Sequence, residues 1–160
     1  MRKQGSVKEV PLTRGKVALV DAEDYEYINQ WKWRTRVDGN SLYAMRQVKS
    51  MGKTQTVLMH RVLNKTPKGC HTDHINCNGL DNRKENLRTV TQKQNQQNRA
   101  SRYGASRYKG VNPKNSRWRA RIRVDKKLIH LGYFDSEIDA AKCYDVYATK
   151  HFGKYANTNF

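Results

Sequence analysis

Hydrophobic and polar residues alternate most regularly in the segment SRWRARIRV, residues 116–124. In an extended chain, successive side chains point to opposite faces, so this alternation predicts a strand. Its apolar face carries Trp118, Ala120, Ile122 and Val124. Its other face carries Arg117, Arg119, Arg121 and Arg123. Like charges side by side on a strand repel one another, so four arginines in one row indicate an anionic partner more than a plain solvated surface.

The carboxy-terminal segment continues this pattern into a second strand and a helix. LIHLGYF (128–134) is a strand candidate, and DSEIDAAKCYDVYATKHFG (135–153) places apolar residues at helical intervals. Asp135 or Ser136 is the expected cap of that helix. Its small alanines would let it pack closely over a sheet.

The amino-terminal part predicts short strands and one helix. KVALV (16–20) is a strand candidate, and DAEDYEYINQW (21–31) has helical spacing. WKWRTRV (31–37) alternates, DGN signals a hairpin turn, and SLYAMRQVK and TQTVLMHRVL supply further strands. The result is a small antiparallel sheet with one basic face, to which Lys32, Arg34 and Arg36 belong.

These elements predict an α+β protein with four regions. A β-rich region would span 1–65, a polar segment 66–98, a basic, turn-rich linker 99–107, and a three-stranded sheet with one helix 108–160. In the polar segment, TQKQNQQN predicts a short helix for which Thr91 is a suitable cap.

Composition adds a partner to this picture. Lys and Arg total 32 against 14 Asp and Glu, which gives a net charge of +18. Such an excess predicts a polyanion, with nucleic acid first, because neutralising phosphates releases counterions. A membrane surface is the alternative, but no long amphipathic helix with a basic face occurs and the apolar runs are too short to span a bilayer.

The cysteines bear on compartment and on metal binding. They number three, none in a C-x-x-C pair, and no signal-peptide pattern is found. A reduced intracellular compartment, the cytoplasm, is therefore expected. Cys70 and Cys77 flank a polar segment and so suggest zinc, but without a C-x-x-C pair the zinc signal is weak.

Five separated blocks in residues 108–160 resemble the ethylene-response-factor (APETALA-two) DNA-binding domain. They are YKGV, RWRARI, LGYF, DAAKCYD and ANTNF. The resemblance implies a three-stranded sheet in the major groove of double-stranded DNA with a helix behind it. It places on the DNA side Lys109, Gly110, Asn112, Lys114, Arg117, Arg119, Arg121 and Arg123. Arg121 and His130 depart from the plant pattern, so the plant target sequence is not carried over.

The segment HTDHINCNGLDNRKENL (71–87) concentrates the groups that phosphodiester hydrolysis requires. A histidine of near-neutral pKa can activate water, and a divalent metal can stabilise the leaving oxygen. A hard ion such as Mg²⁺ prefers oxygen ligands and keeps several waters, so a carboxylate and an amide carbonyl suffice. Asp73 and His74 are adjacent, Asn86 lies at the end of the segment, and Asn95 lies on the predicted helix.

This segment resembles an HNH homing endonuclease in which the last histidine is replaced by asparagine. The matching residues are DHIN (73–76), NG (78–79), LDNR (80–83), ENLR (85–88), Thr91 and Asn95. The resemblance implies a ββα-metal module. In it, Asp73 and Asn95 would hold Mg²⁺ or Mn²⁺, His74 would activate the water, and Asn86 would fix the orientation of His74. Asn98 is a rival ligand, and His60 and His71 are candidates only for phosphate contact.

Together these features predict a phage-type, site-specific and sequence-tolerant homing endonuclease that acts as a monomer or a dimer on DNA. With one site per chain, a monomer would cut one strand per binding event, and a double-strand cut would need a dimer or a second event. Two other hypotheses stay open at this point. One is a non-catalytic DNA-binding regulator with a decayed HNH centre, and the other is a structure-specific or RNA-directed nuclease.

Overall fold

The computed structural model describes residues 6–98 and 105–160. The protein has the α+β class that the sequence predicts, built from small antiparallel sheets and short helices. The chain forms two compact units, Met1–Gln92 and Lys93–Phe160. Residues 99–104 of the predicted linker lie outside the described residues. Within 6–98 and 105–160, no helix is both long and apolar enough to cross a membrane.

The first unit opens with a hairpin and a short helix. Strand β1 (Val7–Pro11) pairs antiparallel with β2 (Val17–Asp21), and α1 (Ala22–Ile28) follows directly. Strand β1 is absent from the sequence prediction because its burial does not alternate: only Val10 is buried. Val10, Val20 and Ile28 lie in the core of this unit.

A three-stranded meander follows. It consists of β3 (Arg34–Asp38), β4 (Ser41–Ser50) and β5 (Lys53–Leu58), with β4 in the centre. The predicted strand at 31–37 starts three residues late, because Trp33 turns into the core and its indole N–H donates to the carbonyl of Ile28 at 2.8 Å.

The segment after β5 is helical, and its assignment to a strand was wrong. Helix α2 spans Met59–Leu63. Met59 is fully buried, and Val62 and Leu63 pack against the same core. Apolar residues at i, i+3 and i+4 bury one face of a helix, and in TQTVLMHRVL this helical pattern follows directly on the alternation of the strand.

Two short strands carry the polar segment. Strand β6 (His71–His74) pairs antiparallel with β7 (Leu87–Val90), and α3 (Gln92–Gln97) follows at the boundary of the two units. The loop between β6 and β7 is bound to β2. The Leu19 N–H donates to the Leu80 carbonyl, and the Asn82 N–H donates to the Leu19 carbonyl, both at 2.8 Å.

The second unit has the predicted sheet and helix. Its strands are β8 (Val111–Lys114), β9 (Arg117–Val124) and β10 (Lys127–Phe134), with β9 in the centre, followed by α4 (Glu137–Phe152). Ala120 and Ile122 of β9 are buried, as are Ala140 and Tyr144 of α4. Ser136 is the cap, and its hydroxyl accepts from the Asp139 N–H.

Candidate active site

The hairpin β6–β7 brings the two central residues of the prediction to the end of one strand. Asp73 lies opposite Arg88, and His74 lies opposite Leu87. Asp73 and His74 are both 6% exposed. One oxygen of Asp73 accepts from Nε and Nη2 of Arg88 at 2.8 and 2.7 Å. The carboxylate is therefore held in place by an arginine from the partner strand.

Asn86 joins the two ends of the loop that connects β6 to β7. Its backbone carbonyl accepts from the Ile75 N–H at 2.9 Å, and its side-chain oxygen accepts from the Asn76 N–H at 2.9 Å. Its amide donates to the side chain of Asn76 at 2.9 Å and to the Asp81 carbonyl at 2.8 Å. These bonds fix the backbone directly after His74, whereas the imidazole has a different side-chain partner.

That partner is Asn82, which the sequence prediction does not assign. Asn82 is 1% exposed, and its side-chain oxygen lies 3.4 Å from Nε2 of His74. Its amide nitrogen donates to the Leu80 carbonyl at 3.1 Å, so the oxygen is the atom that faces the imidazole. An amide oxygen only accepts, which favours a proton on Nε2 and a lone pair on Nδ1 of His74. The signal was available, since Asn82 belongs to the matching LDNR block.

Two further rings surround His74. The His60 ring from α2 meets it edge-on with centroids 5.0 Å apart, and the Tyr43 ring from β4 lies 5.9 Å away. Tyr43 and His60 also contact each other, with centroids 5.5 Å apart. Sequence reasoning misses both residues as neighbours of His74 because the three are far apart along the chain and come together only when the sheets pack.

Burial keeps both histidines neutral. It lowers the pKa of His60 to about 3, with smaller contributions from the nearby His74 and Arg61. Burial also lowers the pKa of His74, while Asn82, Asp73 and Asp81 act in the opposite direction. A neutral imidazole at neutral pH can accept a proton, as a general base must.

The loop is further braced by an ion pair. Asp81 is bound by Arg83 through Nε and Nη2, both at 2.8 Å, and it accepts from the side chain of Asn76 at 2.9 Å. Hydrogen bonding to Arg83 lowers the pKa of the Asp81 carboxyl. Lys84 adds a link to the end of β2, since its backbone N–H donates to the Asp21 carboxylate at 2.8 Å.

Asn95 and Asn98 lie in the second unit. Asn95 is half-buried on α3, and Asn98, just beyond the helix, is 3% exposed. The backbone carbonyl of Asn98 accepts from the side chain of Asn157 at 2.9 Å. The role of either asparagine as a metal ligand stays a prediction from the resemblance.

The residues present suit a hard divalent ion in part. Asp73 offers a carboxylate at the end of a strand, which is the ligand type that Mg²⁺ and Mn²⁺ prefer. Across residues 6–98 and 105–160, no three His, Cys, Asp or Glu side chains come together as a metal-binding group. A nitrogen- or sulfur-rich cage is thus not formed by the described residues, and an ion that keeps several waters and binds phosphate oxygens needs none.

The sheet of the second unit presents the predicted row of cations on the face opposite α4. Register places Arg119 opposite Asn112 and Tyr133, and Arg121 opposite His130. The residues of the DNA-side prediction that share this face are Asn112, Lys114, Arg117, Arg119, Arg121 and Arg123. Arg117 and Arg123 are both exposed, and Arg117 is bound to Asp135 at 2.8 Å.

Two other residues of that prediction have intramolecular contacts. The ammonium of Lys109 donates to the Gln97 carbonyl at 2.8 Å. Gly110 has a φ of +77° and touches the Tyr144 ring so closely that a Cβ would lie 2.0 Å from it. Gly110 therefore positions β8 against α4 as well as lying beside the cationic face.

In the first unit, Arg34 and Arg36 are exposed on β3, and Lys32 is exposed just before it. Arg36 lies 3.8 Å from Asp38 at the end of the strand.

Comparison with known proteins gives the class of this site. Residues 58–97, which contain α2, both strands of the hairpin and α3, match the HNH endonuclease family. The resemblance of this segment to HNH endonucleases, on which the sequence prediction rests, is confirmed. The chain is also similar to an uncharacterized HNH endonuclease of Acanthamoeba polyphaga mimivirus. Identity is 28% over 153 residues, which cover 91% of this chain and 76% of the viral protein.

The second resemblance is confirmed as well. The chain is 45% identical over 60 residues to an APETALA2-like protein of Oryza sativa subsp. indica. It is 54% identical over 37 residues to an ethylene-responsive transcription factor-like protein of Arabidopsis thaliana. These matches cover 36% and 23% of this chain but only 14% and 16% of the plant proteins. The shared part is thus a module within much longer plant chains.

Proposed function

We propose that this protein is an HNH-type DNA endonuclease that hydrolyses phosphodiester bonds. The observation that carries the proposal is the arrangement around His74. A buried, neutral imidazole is held by Asn82, follows Asp73 directly in the chain, and stands in a segment that matches HNH endonucleases.

His74 acts as the general base. Nδ1 takes a proton from water, and the resulting hydroxide attacks phosphorus. The bond from phosphorus to the 3′-oxygen breaks and that oxygen takes a proton from solvent, so the products carry a 5′-phosphate and a 3′-hydroxyl. Asn82 keeps the other nitrogen protonated, and Asn86 holds the loop that fixes the backbone after His74.

A divalent ion, Mg²⁺ or Mn²⁺, would polarise the phosphate and stabilise the leaving oxygen. Asp73 would hold it through its carboxylate, and Asn95 is the second ligand that the resemblance implies. Arg88 fixes Asp73 by binding one of its oxygens.

The carboxy-terminal unit anchors the protein on duplex DNA. Its row of arginines lies on a sheet face, and the arginine fork matches both phosphate and the guanine edge in the major groove. With one such unit and one His74 per chain, a monomer cuts one strand per binding event. The proposal also includes a homing role, as in mobile phage genes, and action inside the cell.

His74→Ala tests the catalytic assignment. We expect cleavage of long duplex DNA with Mg²⁺ to fall by at least about 100-fold, because a general base contributes 10²–10⁴-fold, while DNA binding is retained. His71→Ala, in the same strand, is the matched control and is expected to keep cleavage. Cleavage by His74→Ala at the parental rate would refute the assignment.

The rival function is a DNA-binding regulator without catalysis, which the similarity to plant transcription factors favours. It predicts binding without cleavage under all metal conditions. Competition between duplex DNA and structured RNA for binding to the protein separates the DNA endonuclease and the DNA-binding regulator from a nuclease directed at RNA.

A further inference from the structure

The meander β3–β5 has two faces that its register defines. Residues opposite each other on antiparallel strands point to the same side. Arg36 is opposite Tyr43, Gln47 is opposite Thr56, and Lys49 is opposite Thr54. We call the side that carries these residues and Arg34 the outer face. The inner face carries Thr35, Ala44, Arg46 and Val57.

The two faces differ in burial and in chemistry. On the inner face, Ala44 is buried in the core, Val57 packs against it, and the guanidinium of Arg46 lies 4.3 Å from the centre of the Trp31 ring. On the outer face, six exposed side chains can donate hydrogen bonds. They are Arg34, Arg36, Gln47, Lys49, Thr54 and Thr56. Asp38 is also exposed on this face and lies 3.8 Å from Arg36.

The outer face continues directly into the candidate active site. Tyr43 lies on this face, and its ring contacts both His60 and His74. The loop after β6 packs on the same point, since a Cβ on Gly79 would lie 2.6 Å from the Tyr43 ring. A ligand that reaches His74 therefore lies beside one end of the outer face.

We propose that the outer face of β3–β5 reads duplex DNA on one side of the cleavage site. Arg34, Arg36 and Lys49 bind phosphates, and Gln47, Thr54 and Thr56 contact base edges. The proposal rests on the proposed nuclease function and adds the surface that selects where the chain cuts. Its support is the continuity with His74 and the six exposed donors; Met45, opposite Arg34, and Leu58, opposite Met45, are half-buried on this face.

The dimensions suit this role. A strand rises about 3.3 Å per residue, so Lys49 lies about 20 Å along β4 from Tyr43. At about 3.4 Å per base pair, the contacts extend to roughly six base pairs from the cleaved phosphate. The major groove admits a β-ribbon, and threonine, glutamine and arginine are residues that contact bases there.

The test uses a lysine pair that differs only in its face. Lys49 and Lys53 are both exposed on the same hairpin, but Lys53 lies opposite Ser50 on the inner face. Lys49→Ala and Lys53→Ala are made in the full chain that carries His74→Ala, so binding is measured without cleavage. The probe is a random-sequence DNA duplex titrated over a range of salt concentrations.

We expect Lys49→Ala to reduce the slope of log affinity against log salt concentration by about 1, as the loss of one phosphate contact does. Lys53→Ala is expected to leave the slope unchanged. If Lys49→Ala and Lys53→Ala changed this slope equally, the outer face would not be the DNA-binding surface, and the nuclease proposal would stay intact. Failure of the parent to bind any duplex would overturn both.

Base selection is tested on β5 with neighbouring residues. Thr54→Ala and Thr56→Ala change the outer face, and Gln55→Ala changes the exposed inner side between them. In the cleavage-competent chain, we expect the two threonine variants to alter base preference within about six base pairs of the cut, on one side only. An unchanged cut-site profile in both, or the same change in Gln55→Ala, would contradict base contact.

Discussion

At the scale of single residues, the chemistry depends on neutral neighbours of His74. Asn82 offers an amide oxygen to Nε2, and His60 and Tyr43 enclose the ring. Burial is the largest cause of the lowered pKa of His74 and keeps the imidazole ready to accept a proton. The sequence motif gave Asp73 and His74, but residues that act through packing have no fixed spacing from them.

Asn82→Ala removes the acceptor that faces Nε2 of His74. We expect the cleavage rate to fall on the order of 10- to 100-fold, because an unheld ring populates the wrong tautomer and orientation. Asn82→Asp keeps an oxygen there and should restore part of the rate. Nitrogen-15 NMR of the His74 ring reports the tautomer directly. A parental tautomer in Asn82→Ala together with a lost rate would refute the positioning role.

His60 makes stability depend on pH. Its pKa is about 3 in the folded protein and 6.5 without burial, so the unfolded chain binds more protons between these values. The contribution of neutral His60 to the free energy of unfolding is complete above pH 6.5. It is lost as the pH falls towards 3, by up to about 1.4 kcal/mol per pH unit.

His60→Gln cannot ionise, so its free energy of unfolding should fall less steeply with acidification. Chemical denaturation of the parent and the variant at pH values on both sides of 6.5 measures this difference. If the free energy of unfolding fell equally steeply with pH below 6.5 in both proteins, the lowered pKa of His60 would be contradicted. A constant difference in free energy at all pH values would report only lost packing.

At the scale of elements, local patterns predicted the strands and the long helix but not their contacts. The alternation in β9 and the spacing in α4 bury one face each, so a single strand or helix carries the signal. Helix α2 was missed because its apolar residues continue those of β5. The binding of the active-site loop to β2 depends on backbone hydrogen bonds at Leu19, which side-chain patterns do not encode.

Gly79 shows what this loop packing demands. A Cβ there would lie 2.4 Å from the Leu42 carbonyl and 2.6 Å from the Tyr43 ring, and the carbonyl cannot move without β4. We expect Gly79→Ala to destabilise the first unit by about 1–3 kcal/mol. Its cleavage rate, measured where the variant is still folded, should fall because Tyr43 contacts His74.

Gly39→Ala provides the comparison, since a Cβ at Gly39 meets nothing within 4 Å although its φ is +59°. We expect it to cost stability through backbone strain alone and to leave the cleavage rate unchanged. Equal loss of cleavage in both variants would contradict the link from the loop to the active site.

At the scale of the whole molecule, the charge of +18 is divided between a catalytic unit and a unit whose sheet carries a row of arginines. Phosphate contacts give affinity without sequence information, and base contacts give specificity. A chain with many cations should therefore bind many sequences, and its base contacts should only bias where among them it cuts.

This division predicts how affinity responds to salt. Arg123 is exposed on the cationic face of β9, and Lys150 is exposed on α4, the layer on the other side of that sheet. Both substitutions to alanine remove one positive charge. If the sheet face binds phosphate, Arg123→Ala lowers the slope of log affinity against log salt concentration by about 1, and Lys150→Ala leaves it unchanged. Fluorescence anisotropy with a random-sequence duplex measures both slopes. Equal slopes for the two variants would mean that net charge, rather than the arginine row, controls binding by this unit.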